Sequence, residues 1–172
     1  MPFLKKISTP LGKTYLGAND QGICLFDFEQ RKNLDRIMQR IERLSGESFV
    51  AGEHPYFKLL EEQIEAYFAG ERQIFDLPLQ FLGTPFQKKV WQGLCSIPYG
   101  ETRTYKEQAQ FLGNEKAMRA VANANGQNGI AIIIPCHRVI GSNGKLTGYG
   151  GGLDFKKRLL EHEQKYAQYI KI

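Results

Sequence analysis

Two four-residue segments in the second half of the chain have the pattern that starts a helix. The segments TPFQ at 84–87 and TYKE at 104–107 each place threonine three residues before Gln or Glu. At this spacing each of the two side chains accepts a backbone N–H at the start of a helix, which defines a capping box. The proline of the first segment also suits the first helical position. Both segments therefore predict where a helix begins.

The helix that begins at 104–107 is expected to be short, because its pattern ends near Leu112 and Gly113 can turn the chain. Asn114 is a good cap for a third helix, which we predict over 115–125. Two helices joined by a turn that contains glycine have the outline of a helix-turn-helix.

The third predicted helix has two different faces. Met118, Val121 and Ala122 share one face and are expected to pack inward. The other face holds Lys116, Arg119, Ala120 and Asn123. An alanine-rich helix with basic residues on one side can approach the groove of a nucleic acid closely, although a plain surface helix has the same pattern.

Residues 1–80 are organised differently and are predicted to form a small α/β domain. Three β-rich runs, FLKKIS, LGKTYLGA and QGICLFDF, are separated by turn residues. A helical stripe follows at Leu34, Ile37, Met38, Ile41 and Leu44. A second helix is predicted from Pro55, with the stripe Phe57, Leu60, Ile64, Tyr67 and Phe68. Residues 81–172 form the second predicted domain, which is mainly helical.

The positive charge of the chain is concentrated in its second half. Residues 81–172 contain 13 Lys and Arg against 6 Asp and Glu, a balance of +7, whereas residues 1–80 have a balance of −2. A basic half is expected on a protein that binds a polyanion, and also on a merely soluble basic surface. No apolar run approaches the ~20 residues of a membrane helix, and the N-terminus lacks a secretory signal. We therefore expect a cytoplasmic protein, with access to the nucleoid if its source is bacterial.

Three cysteines, Cys24, Cys95 and Cys136, lie far apart in the sequence and form no CxxC pair. This spacing favours neither a metal site nor a disulfide framework, so the thiols are expected to be free. Cys24 and Cys95 lie in apolar surroundings and are expected to be buried. Cys136 differs from them because a histidine follows it.

Cys136 and His137 lie near the end of the apolar run 129–139, which we predict to be a buried strand. His137 can activate the thiol, since the thiolate is the nucleophile. Adjacent side chains of a strand point to opposite faces, so either the strand bends or a water joins the two groups. A carboxylate should hold the imidazole, and Glu161 and Glu163 are both candidates. On this pattern alone, a buried thiol beside a hydrogen-bonded imidazole is the commoner arrangement.

Three longer segments resemble one family of proteins. The block IPCHRVIGSNGKLTGYGGGLDFKKRLLEHE is similar to the active-site block of the O6-alkylguanine-DNA alkyltransferases, also called methylated-DNA–protein-cysteine methyltransferases. GTPFQKKVWQGLCSIPYGETRTYKEQA and NEKAMRAVANANGQN resemble the DNA-binding segments of that family. HPYFKLLEEQIEAYFAGERQIFDLPL resembles the end of the N-terminal domain of its bacterial members. The likeness extends over residues 54–163, and the motif PCHRV is highly specific in this context.

The resemblance implies an α+β fold of two domains. One is an N-terminal α/β domain like ribonuclease H, and the other is a C-terminal mainly helical domain with a DNA-binding helix-turn-helix. It also implies that Cys136 accepts the alkyl group, that His137 acts through a water, and that Glu163 orients the histidine. Asn128 matches the asparagine that supports the active-site turn.

The same resemblance assigns contacts with DNA. Arg119 matches the arginine that fills the gap left by the displaced nucleotide. Tyr105 matches the tyrosine that helps to rotate the nucleotide and touches the base, which gives it a catalytic role as well. Asn114 and Ser142 match positions that contact the DNA backbone.

The substrate pocket implied by the resemblance includes Tyr149, Gly150 and Gly151. Some members have a serine at the position of Gly150, so here a backbone amide takes over its contact or the contact is missing. Some members hold structural zinc in the N-terminal domain. Because that part of this chain offers only Cys24 and His54, we expect no metal, and we expect no cofactor.

The implied function is the repair of double-stranded DNA that contains alkylated bases. Acting as a monomer, the protein is expected to flip O6-methylguanine, and also O4-methylthymine, out of the duplex. It would then transfer the alkyl group irreversibly to Cys136, once per molecule. Two other interpretations stay open from the residues: a DNA-binding module whose Cys136 senses redox state, and a hydrolase that uses Cys136, His137 and Glu163.

Overall fold

A computed structural model describes residues 2–142 and 153–167 of the chain. The chain divides into two compact units, Met1–Gly83 and Thr84–Ile172. The first unit is built on a β-sheet and the second mainly on helices, so the predicted α+β character is confirmed. None of the helices among the described residues is long and apolar enough to cross a membrane.

The sheet of the first unit has the strand order β3-β2-β1-β4. The strands are β1 (Phe3–Thr9), β2 (Gly12–Asn19), β3 (Gly22–Phe28) and β4 (Val50–Ala51). The first three form antiparallel hairpins, as the three β-rich runs and their turn residues predicted, and β4 joins β1 in parallel. Every residue of β3 is buried, which places this strand in the core of the unit.

Two amphipathic helices pack on this sheet, α1 (Leu34–Ser45) against β3 and α2 (Pro55–Phe68) against β2. The predicted stripes are largely correct, since Leu34, Ile37 and Ile41 of α1 are buried, but Leu44 near its end is 45% exposed. The buried residues of α2 are Phe57, Leu60, Gln63, Ile64 and Tyr67. The segment at 74–80 is a connector that bridges β3 at one point, between Ile23 and Leu79.

The second unit consists of short helices around one small parallel strand pair. Its elements are α3 (Pro85–Leu94), β5 (Arg103–Thr104), α4 (Tyr105–Phe111), α5 (Met118–Gly126), β6 (Val139–Ile140) and α6 (Leu153–Ala167). Short 3-10 turns lie at Glu115–Ala117 and Cys136–Arg138. The pairing of β5 with β6 brings the start of α4 beside the residues that follow Cys136.

Both capping boxes form as predicted. At the start of α3, the side chain of Thr84 accepts a hydrogen bond from the backbone N–H of Gln87, and the side chain of Gln87 accepts one from the backbone N–H of Thr84. Thr104 and Glu107 make the same two bonds at the start of α4. Gly113 has a φ of +84°, a conformation that glycine adopts readily, so it makes the turn between α4 and α5. These helices therefore form the predicted helix-turn-helix.

The faces of α5 agree with the prediction except at its first residue. Val121 is buried, and Lys116, Arg119, Ala120 and Asn123 are all exposed. Met118 was expected to pack inward but is 37% exposed, because it directly follows the 3-10 turn and begins the helix at the surface.

The prediction of a strand over 129–139 is wrong, since the run contains a single bridge residue, Ile130, and otherwise only the first residue of the strand Val139–Ile140. The residues before it form successive turns, and Ile132 has a φ of +70°. Ile130 to Val139 are nevertheless all buried. Because such a run is apolar at every position, it has no period that distinguishes a strand from a buried turn.

Of the two cysteines expected to be buried, Cys24 lies in the core of the first unit and is 3% exposed. Cys95 is exposed, and that prediction was wrong. The residue caps the C-terminal end of α3, so it lies past the last buried position of that helix.

Candidate active site

The turn that holds Cys136 is built around the side chain of Asn128. The amide oxygen of Asn128 accepts a hydrogen bond from the backbone N–H of Ile130 at 2.9 Å. Its Nδ2 donates to the carbonyl oxygen of Ile134 at 2.9 Å and lies 3.3 Å from that of Ile130. One buried amide thus satisfies backbone groups that a strand would have paired with a neighbour.

The backbone of this turn is strained at one residue. Ile132 has a left-handed φ, which is costly for a β-branched side chain. The N–H of Ile133 donates to the carbonyl oxygen of Ala131 at 2.8 Å, so the chain reverses within three residues. Strain of this kind persists where the surroundings hold the backbone in place, and it is concentrated at functional sites.

Cys136 is 5% exposed and starts the 3-10 turn Cys136–Arg138. The Nδ2 of Asn128 lies 3.2 Å from Sγ of Cys136 and donates to it. An N–H directed at the sulfur stabilises negative charge there. The asparagine that shapes the turn therefore also favours the thiolate.

His137 and Glu163 form a buried pair next to this thiol. Nε2 of His137 lies 2.7 Å from Oε2 of Glu163, and the two side chains are 0% and 1% exposed. A carboxylate can only accept, so Nε2 carries the proton and Nδ1 is left as an acceptor. Among the described residues Nδ1 has no hydrogen-bond partner. Burial lowers the pKa of His137, although Glu163 opposes that shift.

The sequence left Glu161 and Glu163 as alternatives, and the structure brings only Glu163 to the histidine. Glu161 lies on the exposed side of α6, where its carboxylate is 3.9 Å from Nζ of Lys157. The expected opposition of Cys136 and His137 across a strand does not apply, because both belong to a 3-10 turn.

Arg138 is a site residue that the sequence analysis missed. Its Nε donates to Oε1 of Glu163 at 2.7 Å, and a terminal nitrogen lies 3.0 Å from Oε2. The other terminal nitrogen donates to the carbonyl oxygen of Ile97 at 2.7 Å. Although burial opposes ionisation, the hydrogen bonds of His137 and Arg138, together with the charge of Arg138, hold the pKa of Glu163 far below its usual value.

Lys156 is a second residue that was missed. It is 1% exposed, burial lowers its pKa to about 8, and the charge of Cys136 opposes that shift. Its Nζ lies 5.7 Å from the centre of the Tyr105 ring. Lys156 and Glu163 are seven residues apart on α6, with buried Leu159 between them, so they share one face. That spacing is the signal by which the sequence could have indicated both.

The residues expected to contact DNA lie on the helix-turn-helix and near it. Arg119 is exposed on α5, and Asn114 is exposed and caps the 3-10 turn before it. Tyr105 is the first residue of α4 and is partly buried, and Ser142 is exposed in a turn after β6. Tyr149, Gly150 and Gly151, expected in the substrate pocket, lie outside the described residues. Within residues 2–142 and 153–167, no group of three or more His, Cys, Asp or Glu side chains is placed to hold a metal ion.

Comparison with protein families gives a match for each unit. The ribonuclease-like domain of 6-O-methylguanine DNA methyltransferase matches residues 4–81, and the DNA-binding domain of the same protein matches residues 85–165. The predicted fold of the N-terminal domain is thereby confirmed. The two matches together leave only short segments of the chain unmatched.

Relatives that carry the same name match nearly the whole chain. The methylated-DNA–protein-cysteine methyltransferase of Methanosarcina barkeri is 49% identical over 158 residues, which cover 92% of this chain and 94% of the relative. That of Methanosarcina acetivorans is 50% identical over 155 residues, which cover 90% and 94%.

Solved structures agree with these relatives. The crystal structure of Mycobacterium tuberculosis O6-methylguanine methyltransferase superposes with a TM-score of 0.81 at 42% identity, covering 96% of this chain and 94% of that one. The structure of Mycobacterium tuberculosis OGT in complex with DNA gives the same TM-score at 40% identity, covering 95% and 94%. With both units matched and relatives about half identical over nearly their full length, the chain belongs to the methylated-DNA–protein-cysteine methyltransferase family.

Proposed function

We propose that this protein repairs alkylated double-stranded DNA by transferring the alkyl group of O6-methylguanine irreversibly to Cys136. The observation that supports this most directly is the arrangement at Cys136, where a buried thiol has an N–H donor on its sulfur and an imidazole–carboxylate pair as its neighbour. The relatives named for this activity and the solved complex of one of them with DNA support the same function.

The helix-turn-helix binds the duplex without preference for sequence. Two exposed basic residues, Arg119 on α5 and Lys116 in the 3-10 turn before it, approach the DNA, and the excess of positive charge in residues 81–172 adds attraction to phosphate. Asn114 and Ser142 donate to phosphate groups. Binding that reads mainly the backbone suits a protein that must act wherever a lesion lies.

The lesion is stacked inside the duplex, so its nucleotide must rotate out before the thiol can reach it. Arg119 enters the space that the nucleotide leaves and offsets part of the cost of unstacking. Tyr105 guides the rotating nucleotide and contacts the base. We assign Tyr149, Gly150 and Gly151 to the pocket for the flipped base, where Gly150 offers no side-chain hydroxyl, so that either a backbone amide makes that contact or it is missing. The same pocket accepts O4-methylthymine.

The chemical step begins with the loss of the thiol proton. Nδ1 of His137 takes it through a bridging water, while Glu163 holds the ring and Asn128 supports the turn and the sulfur. The cation of Lys156 also favours the thiolate, since the two charges interact. The sulfur then attacks the alkyl carbon, and the carbon–oxygen bond breaks with its electron pair on the guanine. Tyr105 donates a proton to the departing base and regains one from solvent.

The product is a thioether at Cys136, and this bond makes the reaction a single event. Water and thiols do not readily displace a thioether, unlike a thioester or a disulfide. Each molecule therefore acts once, as a stoichiometric methyltransferase. We further propose that residues 1–80 form a ribonuclease-like domain and residues 81–172 the alkyltransferase domain. We also propose that the protein works as a monomer in the cytoplasm, where the nucleoid is accessible in a bacterium.

The test uses a duplex that contains one O6-methylguanine. After incubation, mass spectrometry of the Cys136 peptide should show a lasting gain of one methyl group, with no more than one transfer per protein. Cys136→Ser should abolish the transfer, and Cys95→Ser should not, because Cys95 is an exposed thiol outside the site. DNA binding without any methyl gain would contradict the proposal and favour a redox sensor, whereas repeated turnover of an ester would favour a hydrolase.

A further inference from the structure

Arg138 is only 6% exposed, and every nitrogen of its guanidinium group has a hydrogen-bond partner within the protein. Two nitrogens contact the two oxygens of Glu163, and the third donates to Ile97. The oxygen of Glu163 that receives His137 is also 3.0 Å from Arg138. A single carboxylate is therefore shared by an imidazole and a guanidinium. Arg138 thus belongs to the buried group that includes His137 and Glu163, and not to the exposed basic residues expected to contact DNA.

This sharing matters because a buried carboxylate favours the protonated form of a histidine that is bonded to it. An imidazolium has no lone pair on Nδ1 and cannot accept the proton of a thiol. A guanidinium is charged at every pH at which the protein is folded. Bonded to both oxygens of the carboxylate, it balances the negative charge and repels a second positive charge on the ring.

We propose that Arg138 is a positioning residue for the transfer reaction, which orients Glu163 and keeps His137 neutral so that Nδ1 can accept the thiol proton. This inference rests on the proposed function. Among the residues that the structure describes, the groups that face His137 are Glu163 and Lys156 on α6 and Cys136 and Arg138 on its own turn. Of these, Glu163 is the one that favours the imidazolium, and burial together with the two cations opposes it.

A merely structural role for Arg138 is the alternative, because the residue also ties the Cys136 turn to Ile97 and lies 5.6 Å from the Tyr99 ring. The two roles differ in their effect on pH dependence. Loss of structure lowers the rate of transfer at every pH, whereas loss of the charge moves the pH at which His137 becomes able to accept a proton.

The experiment measures the rate of methyl transfer to Cys136 from the free base O6-methylguanine between pH 5 and 9, so that DNA binding does not enter. Arg138→Met removes the charge, whereas Arg138→Lys keeps the charge but cannot contact both oxygens of Glu163 with a planar guanidinium. For Arg138→Met we expect the midpoint of the acid limb to rise by about one pH unit, the shift expected when one nearby charge is lost. For Arg138→Lys we expect a lower plateau with the midpoint of the wild-type protein. An unchanged midpoint in Arg138→Met would overturn the proposal.

A second measurement uses the unaltered protein, in case the methionine variant does not fold. Nitrogen NMR of the His137 ring should show a neutral imidazole with its proton on Nε2 down to below pH 6.5, the ordinary pKa of histidine. A ring that is already doubly protonated at pH 7 would overturn the proposal. Absence of any methyl gain in the wild-type protein would instead remove the proposed function and leave the NMR result standing.

Discussion

Cys24 and Cys136 are almost equally buried, at 3% and 5% exposure, yet their surroundings give them different chemistry. Cys24 lies on β3 in an apolar cluster with Leu25, Leu34, Ile37 and Ile41. Burial there raises the pKa of Cys24 to about 12, so its thiol stays protonated. Cys136 has the amide of Asn128 on its sulfur and the charge of Lys156 nearby. Burial alone keeps a thiol protonated, and at Cys136 the Asn128 donor and the Lys156 cation counter that effect.

The first prediction exchanges the two sulfurs one at a time and has the largest expected effect. Cys136→Ser should abolish methyl transfer, since a hydroxyl in its place is a far weaker nucleophile. Cys24→Ser should leave the rate of transfer unchanged and lower the free energy of unfolding of the first unit by about 1–3 kcal/mol, the cost of burying a hydroxyl without a partner. Mass spectrometry and thermal unfolding of both variants give the two results. Loss of transfer in a folded Cys24→Ser variant would contradict the prediction that Cys24 takes no part in the reaction.

The second prediction removes the charge behind the imidazole. Glu163→Gln should slow transfer about 100-fold at pH 7, because the ring loses the group that fixes its tautomer and stabilises its protonated form. Single-turnover kinetics with methylated duplex measure the rate. Glu161→Gln, on the exposed side of the same helix, is the matched control and should react like the wild-type protein. Equal effects of the two changes would show that Glu163 does not act through His137.

Much of this fold follows from the sequence, and the reason lies in local chemistry. Thr84, Thr104 and Gly113 act through neighbours three or fewer residues away, so their patterns predict the helix-turn-helix directly. The turn at Cys136 depends instead on a side chain eight residues earlier, that of Asn128, and the apolar run between them has no period. A strand was predicted there for that reason.

The two missed site residues show a further limit. Arg138 and Lys156 are basic, and basic residues are usually exposed. In the basic half of the chain, nothing local distinguishes them from residues that face phosphate. Their burial depends on α6 packing against the Cys136 turn, a contact between residues about 20 apart in sequence or more. The resemblance that identified Cys136, His137 and Glu163 gave no role to either residue.

The third prediction removes the lysine cation that makes the surroundings of Cys136 different from those of Cys24. Because the pKa of Lys156 is lowered to about 8, the residue is charged below that pH and loses its charge as the pH rises through it. Lys156→Met should slow transfer about 10-fold at pH 7, and the difference should shrink above about pH 9, where the wild-type lysine is neutral as well. The ratio of the two rates across this range is the measurement. A constant ratio would mean that Lys156 acts through shape alone.

The fourth prediction concerns stability, where the effect is smallest. The pKa of Glu163 is lower in the folded protein than in the unfolded chain, so below about pH 5 the unfolded chain binds more protons. The stability that Glu163 contributes is therefore present at neutral pH and is lost as the pH falls below about 4.3, the value for an unfolded glutamate.

Trp91, the single tryptophan, is buried in α3, and its fluorescence reports unfolding of the second unit. The free energy of unfolding, measured by denaturant titration with this fluorescence, should depend less on pH between about 5 and 3 in Glu163→Gln than in the wild-type protein. Cys24→Ser should keep the full dependence, because its defect lies in the other unit and involves no carboxylate. The same dependence of the free energy of unfolding on pH in wild type and Glu163→Gln would show that the carboxylate is as easily protonated when folded as when unfolded, and the electrostatic difference between the two buried thiols would then rest on groups other than Glu163.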